Sequence, residues 1–220
     1  MTRRRIAALP YGPDAWLLRF AERPGEAAFQ SMRAITRALE TDPPPGLVEY
    51  VPGYTSVLIE FAPGPAPDLG KLLTRLNRRL GEAIEPGPIH DIPVRYDGPD
   101  LVRVAEHAGL SVAEVIERHA GTVYRVALLG FAPGFPYLDG LDPALATPRL
   151  ATPRSRVEAG SVAIGGDHTG IYSVPGPGGW NLIGRTSVRL FDPGRATPAD
   201  PAAMCWLQPG DRVRCVPEAA

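Results

Sequence analysis

Ser161-Val162-Ala163-Ile164, Gly170-Ile171-Tyr172-Ser173-Val174, Asn181-Leu182-Ile183-Gly184 and Ser187-Val188-Arg189-Leu190-Phe191 follow one another closely. Between them lie only Gly165-Gly166-Asp167-His168-Thr169, Pro175-Gly176-Pro177-Gly178-Gly179-Trp180 and Arg185-Thr186. Apolar runs of four or five residues bounded by glycine and proline read as short buried strands joined by tight turns. Val123 to Leu129 before this stretch and Asp211 to Val216 after it read the same way. Many short strands with frequent turns predict a barrel or a sandwich.

The 220-residue chain holds 24 glycines and 26 prolines, a content that excludes a helical bundle or coiled coil. Twelve of those glycines and eight of the prolines fall between Gly130 and Gly194. The excess is therefore local, and it marks a shaped segment rather than a loose chain. A hydrophobic content of 44% supplies a core without help from disulfides or metals.

A formal charge of -1 lacks the electrostatic footprint of a dedicated nucleic-acid binder. Lys71 is the only lysine, so a Schiff base or a phosphate-binding lysine would have to be that residue. Cys205 and Cys215 form no metal spacing and read as reduced structural thiols, and no metal site is expected. Met1-Thr2-Arg3-Arg4-Arg5 is followed by too short an apolar stretch for a signal peptide. No later run is long enough to span a membrane, so a cytoplasmic protein without membrane partners is expected.

Residues 1–86 predict a small α+β domain of order strand, strand, helix, strand, strand, helix. The strands are Ile6 to Leu9, Ala15 to Phe20, Leu47 to Val51 and Thr55 to Phe61. Phe29, Met32, Ile35, Thr36 and Leu39 share one face of a first helix over Glu26 to Leu39, and Asp68 caps a second running to Leu80. Glu85-Pro86-Gly87-Pro88 reads as a linker. Residues 89–220 predict a mostly β domain that opens with a strand at Asp91 to Tyr96 and helices over Asp100 to His107 and Val112 to Ala120. Ser111 and Glu114 there fit a capping box.

Glycine-rich loops expose backbone N–H groups to an anion, and arginines clamp carboxylate or phosphate in two-pronged fashion. Arg149, Arg154 and Arg185 with Gly165, Gly166, Gly178 and Gly179 make such a site chemically feasible; the same glycines equally serve to turn barrel corners. No P-loop and no dinucleotide fingerprint is present. His119, at a helix end, suits either an acid/base or a structural role, while His168 sits in a tight turn. Asp139 and Asp142 read as turn or cap residues. Without a GxSxG elbow or a partnered cysteine, no nucleophile stands out.

The strings Gly130-Phe131-Ala132-Pro133-Gly134-Phe135-Pro136-Tyr137-Leu138, Pro148-Arg149, Pro153-Arg154, Gly160-Ser161-Val162-Ala163-Ile164, Gly170-Ile171-Tyr172, Pro177-Gly178-Gly179-Trp180 and Ile183-Gly184-Arg185-Thr186 occur in this order. His119 with Tyr124 and the closing Pro209-Gly210-Asp211 complete the set. In these the chain resembles the family of the 5-oxoprolinase B subunit (PxpB) that also holds the sporulation kinase inhibitor KipI, otherwise called the carboxyltransferase subdomain C/D family. The likeness runs over residues 90 to 217. Two positions depart from it: Gly176 stands where the family usually has serine, and Ser173 where it often has proline.

The resemblance implies a cyclophilin-like β-barrel preceded by an α+β domain. It implies two partners, the 5-oxoprolinase C subunit, of the carboxyltransferase family, and the A subunit. It implies an ATP-dependent opening of 5-oxo-L-proline to L-glutamate by that complex, with no turnover by this chain alone. ATP is the cofactor of the complex, and its contact with this chain stays open. On residue type, Arg149, Arg154 and Arg185 would hold the anionic intermediate and His119 would act as acid/base. Phe131, Pro133, Gly134, Phe135, Gly165, Gly166, Pro177, Gly178, Gly179 and Trp180 would shape the substrate site. KipI-like inhibition of a sensor histidine kinase, and a role beside a biotin-dependent urea carboxylase, are the alternative readings.

Overall fold

The computed structural model describes residues 5–64 and 68–218. The expectation about the basic start of the chain concerns Met1 to Arg4, outside those residues. The chain divides into two units, Met1–Glu85 and Pro86–Ala220.

In the first unit, β1 (Ala7–Pro10), β2 (Ala15–Arg19), β3 (Leu47–Pro52) and β4 (Ser56–Phe61) form an antiparallel sheet of order β1-β2-β4-β3. Helices α1 (Glu26–Thr41) and α2 (Leu69–Arg79) complete it. Phe29, Met32, Ile35 and Leu39 of α1 and Leu72 and Leu76 of α2 are buried with Leu18, Val57, Ile59 and Phe61 of the sheet. The three- and four-residue spacing seen in the sequence is the spacing that brings these side chains to one helix face. The Asp68 carboxylate accepts from the Lys71 N–H at 3.0 Å and caps α2.

The second unit starts with β5 (Ile89–Val94), α3 (Leu101–Ala108), α4 (Val112–Ala120), β6 (Val123–Leu129) and β7 (Pro136–Asp139). It continues with β8 (Arg154–Val157), β9 (Ser161–Gly165), β10 (His168–Ile171), β11 (Gly176–Gly178), β12 (Asn181–Arg185) and β13 (Arg212–Pro217). Seven of these strands form one sheet in the order β12-β9-β10-β7-β6-β13-β5. Only the β13–β5 pair is parallel. Ser111 and Glu114 form the expected capping box at the start of α4.

Just past β5 the two ends of this sheet meet. Arg95 donates its N–H to the Arg185 carbonyl at 2.8 Å, and Arg185 returns the bond at 2.9 Å. Farther along, Gly98 and Asp100 donate to the carbonyls of Ile183 and Leu182. The sheet is thus a nearly closed barrel, which leaves few unpaired strand edges. Gly184 makes the seam possible, because a β-carbon there would lie 2.6 Å from the Arg95 carbonyl oxygen.

Alternation along the strands sorts side chains into two layers. Val162, Ile164, Ile171, Ile183, Leu138, Val126 and Val213 fill the barrel interior, with Val104 of α3 and Val115 of α4 in the same core. Ala163, Leu182 and Tyr137 belong instead to a second cluster with Phe135, Tyr172 and Trp180. The ribbon formed by β8 and β11 contributes Val157 to that cluster.

Two expectations change here. Ser187 to Phe191 is not a strand: Leu190 is buried, but the segment makes only a single bridge, Phe191 to Cys205. Conversely β7, β8 and β11 form although prolines flank or interrupt them: Pro136 is the first residue of β7, and β8 and β11 make only a short two-stranded pairing, places where a missing N–H is tolerated. Cys205 and Cys215 are both free, and burial pushes the Cys215 thiol up to about 12.

Candidate functional site

The residues singled out in the sequence gather mainly on the outer layer of the barrel, over β7, β10, β9 and β12. Phe135 is at the centre of an edge-to-face aromatic network. Its ring centroid lies 5.2 Å from Tyr137, 5.4 Å from Tyr172, 5.5 Å from Trp180 and 5.3 Å from Phe131.

The glycines around this network have a steric task. A β-carbon on Gly165 would fall inside the Trp180 indole. On Gly170 it would lie 2.9 Å from the Phe135 ring and 3.1 Å from Trp180, and on Gly178 it would collide with the Tyr172 hydroxyl. These positions admit aromatic rings to the sheet. Gly165 and Gly178, expected as a backbone cradle for an anion, are instead covered by side chains. Gly166, at φ 67, makes the β9–β10 turn with open space around it, and Gly179 accepts from the Leu150 N–H at 2.7 Å. Gly176 also faces open space, so the serine usual there would fit without disturbing β11.

Phe131 is unlike its neighbours. Its backbone lies in the left-handed region at φ 69, the only such non-glycine among the described residues, and the residue is 61% exposed. That conformation is costly for an aromatic residue and persists only where surrounding bonds fix it. Here Phe135 donates its N–H to the Ala132 carbonyl at 3.0 Å, and the Ser173 hydroxyl donates to the Pro133 carbonyl at 2.6 Å. Gly134 lies at φ 71, and a β-carbon there would come within 3.1 Å of the Phe191 β-carbon. The departure at Ser173 therefore carries a bond that proline could not make. Pro133 and Pro177 are both exposed.

The three arginines do not converge. Arg149 places its guanidinium 5.6 Å from the Trp180 ring centroid. Arg154 pairs with Asp100 at 2.8 Å, and the second Asp100 oxygen accepts the Leu182 N–H at 2.7 Å. Arg185 sits at the opposite end of β12, four residues or roughly 13 Å along an extended strand from Asn181, and pairs with Asp97 at 2.8 Å. Arg149 and Arg154 thus share one end of the site and Arg185 belongs to the barrel seam. Arg103, which the sequence did not single out, contacts the Asn181 side-chain oxygen, while Asn181 donates to the Pro148 carbonyl at 3.1 Å. Its only signal in the sequence is a place on the helix that follows Asp100.

His119 is fully buried. Thr169 donates its hydroxyl proton to the Ala163 carbonyl at 2.9 Å, so it must accept from His119 Nε2–H at 2.9 Å. His119 Nδ1 is then the acceptor for the Tyr96 hydroxyl at 2.7 Å. Burial lowers the imidazole pKa to about 3. An imidazole whose two nitrogens are both engaged and which is sealed from solvent is a structural element of the barrel core, which removes it from an acid/base role. Asp142 caps a 3-10 turn, accepting from the Ala144 N–H at 2.9 Å, and Asp139 pairs with Arg125 at 3.0 Å. His168 lies 3.5 Å from Asp139 and 2.6 Å from Asp167. Among the described residues no group of acidic, histidine or cysteine side chains could hold a metal ion, and no helix is long and apolar enough to cross a membrane.

The arrangement offers guanidinium N–H donors at Arg149 and an exposed aromatic ring at Phe131. Known proteins share this chain's sequence and fold. The chain is 46% identical over 180 residues to the B subunit of 5-oxoprolinase from Escherichia coli O157:H7, covering 79% of each. It is 36% identical over 221 residues to the Bacillus subtilis (strain 168) protein of that name, covering 93% of this chain and 90% of the other. The crystal structure of TTHA0988 superposes with a TM-score of 0.80 at 43% identity, over 94% of this chain; the chain spans 40% of that longer one. The urea carboxylase of Kluyveromyces lactis shares the fold, with a TM-score of 0.73 at 21% identity, over 98% of this chain and 23% of that one. The family model described as carboxyltransferase domain, subdomain C and D, matches residues 6–200, and the chain belongs to that family.

Proposed function

We propose that this chain is the B subunit of an ATP-dependent 5-oxoprolinase, which with its A and C partners converts 5-oxo-L-proline to L-glutamate. The observation that carries the reading is the 46% identity, over 180 residues, to a relative named as the B subunit of 5-oxoprolinase. The barrel supports it, because the strings shared with the family are the ones that build the aromatic layer and the loop of Phe131.

The lactam is a poor electrophile. Phosphoryl transfer from ATP to its oxygen activates the ring carbon, one water adds as the C–N bond opens, and a second water releases the phosphate. This chain has no P-loop, and Lys71 lies exposed on α2, paired with Asp68. ATP is the cofactor of the complex in this reading, without a standard nucleotide motif in this chain, and this chain contributes substrate recognition and the Phe131 loop. Purified together with its A and C partners, the chain should release glutamate from 5-oxo-L-proline only when ATP is present, and alone it should release none. Equal release by A and C without this chain would sink the reading.

A further inference from the structure

Charge is unbalanced at the arginine end of the aromatic layer. Arg103 contacts Asn181, Arg149 lies over Trp180, and Arg154 pairs with Asp100, the one carboxylate that these contacts include. Both Asp100 oxygens are in use, one on Arg154 and one on the Leu182 N–H. Nη1 of Arg154 is buried and has no hydrogen-bond partner, while the side chain as a whole is 29% exposed. Arg149 is exposed, and its guanidinium packs on the face of Trp180. An unsatisfied guanidinium beside a second one without a counter-ion calls for an anion.

We propose that Arg149 and Arg154, beside Trp180 and Tyr172, bind the carboxylate of a small cyclic amide acid. The identity of that acid as 5-oxo-L-proline rests on the functional reading above.

The cation–π contact with the indole, at 5.6 Å, holds the Arg149 guanidinium near the aromatic layer and uses none of its N–H donors. Arg103 plays a different part: it contacts the Asn181 side-chain oxygen and the Pro148 carbonyl, and so braces the loop that carries Arg149. Arg154 is tethered by Asp100 at 2.8 Å, so its guanidinium is already held and loses little freedom on binding an anion. Tyr172 lies close to both arginines. Burial raises its phenol pKa, while the Trp180 backbone N–H and the charges of Arg149 and Arg154 act against that rise, so the hydroxyl stays protonated and able to donate. A carboxylate suits the cluster better than a phosphate, because Gly165 and Gly178 are covered by rings and offer no backbone nest.

The test is isothermal titration of the full chain with three probes: 5-oxo-L-proline, 2-pyrrolidinone (the same lactam without a carboxylate) and inorganic phosphate. 5-Oxo-L-proline should bind at least tenfold more tightly than either of the others. Arg149→Ala, at an exposed position, should weaken it at least tenfold, Arg149→Lys should fall between, and Arg185→Ala should match the parent chain. Equal affinity for 2-pyrrolidinone, tighter binding of phosphate, or no loss in Arg149→Ala would overturn the proposal. So would the absence of binding to the chain together with an unchanged KM of the Arg149→Ala complex. The reading of the complex as a 5-oxoprolinase fails separately, by absence of glutamate release, since the titration needs no turnover.

Discussion

The indole of Trp180 occupies the space over Gly165 that any β-carbon would need. A glycine in a central strand ordinarily weakens it, yet here the missing side chain lets the aromatic layer lie directly on the barrel wall. Gly165→Ala should therefore destabilise the chain by about 1–3 kcal/mol, the range for overpacking a filled site. Thermal unfolding would show it as a Tm lowered by roughly 2–4 °C per kcal/mol for a chain of this size. A Tm within about one degree of the parent, on the same scaling, would mean that the ring is free to move away.

His119 sets a pH dependence. Its pKa falls from an ordinary 6.5 to about 3 through burial, so between these values the unfolded chain takes up a proton that the folded chain refuses. The stability is fully present above pH 6.5 and is lost as pH drops toward 3, by about 1.4 kcal/mol per pH unit. Urea unfolding from about pH 7 to 5 should show this slope. His119→Phe should remove one proton's worth of it, whatever its effect on stability at neutral pH. An unchanged slope in the variant would show that the imidazole charges in the folded chain.

Asp100 joins the arginine end of the site to the barrel seam, since one oxygen holds Arg154 and the other the Leu182 N–H. Asp100→Asn keeps an acceptor for that N–H but leaves Arg154 without a counter-charge. With one partner nearly buried and the other partly exposed, a loss of about 1–3 kcal/mol in urea unfolding is expected, less than for a fully buried pair. A midpoint equal to that of the parent would show that solvent already screens the pair.

The hydroxyl of Ser173 reaches the Pro133 carbonyl at 2.6 Å and ties down the loop that holds Phe131 at φ 69. Ser173→Ala should cost about 1 kcal/mol, the net value of a single hydrogen bond. Faster amide exchange at Ala132 and Phe135, which close the same loop, should accompany it. Exchange at these amides equal to that of the parent would show that the loop is held by packing alone.

Much of the fold is legible in the sequence because it rests on local rules. The face of α1 marked by Phe29, Met32, Ile35 and Leu39, the Asp68 cap and the Ser111–Glu114 box each depend on residues three or four apart, and all are observed. Ser187 to Phe191 misleads because an apolar run reports burial, which Leu190 satisfies, and says nothing of a pairing partner. β8 and β11 are hidden for the opposite reason: their prolines mask strands whose pairing comes from elsewhere in the chain.

The candidate site divides in the same way. Sequence alone determined the residue types: a run of aromatics and glycines, arginines beside prolines, and a histidine at a helix end. Tertiary structure alone decided their use. It brought Arg149 and Arg154 to one end of β12 and left Arg185 at the other, in the seam with Arg95 and Asp97. It sealed His119 between Tyr96 and Thr169, partners 23 and 50 residues away. It filled Gly165 and Gly178 with rings contributed from Trp180 and Tyr172. The physical reason is that burial, counter-charge and van der Waals overlap depend on which strands the barrel places side by side. Those neighbours are set by long-range pairing, which no local window of the sequence contains.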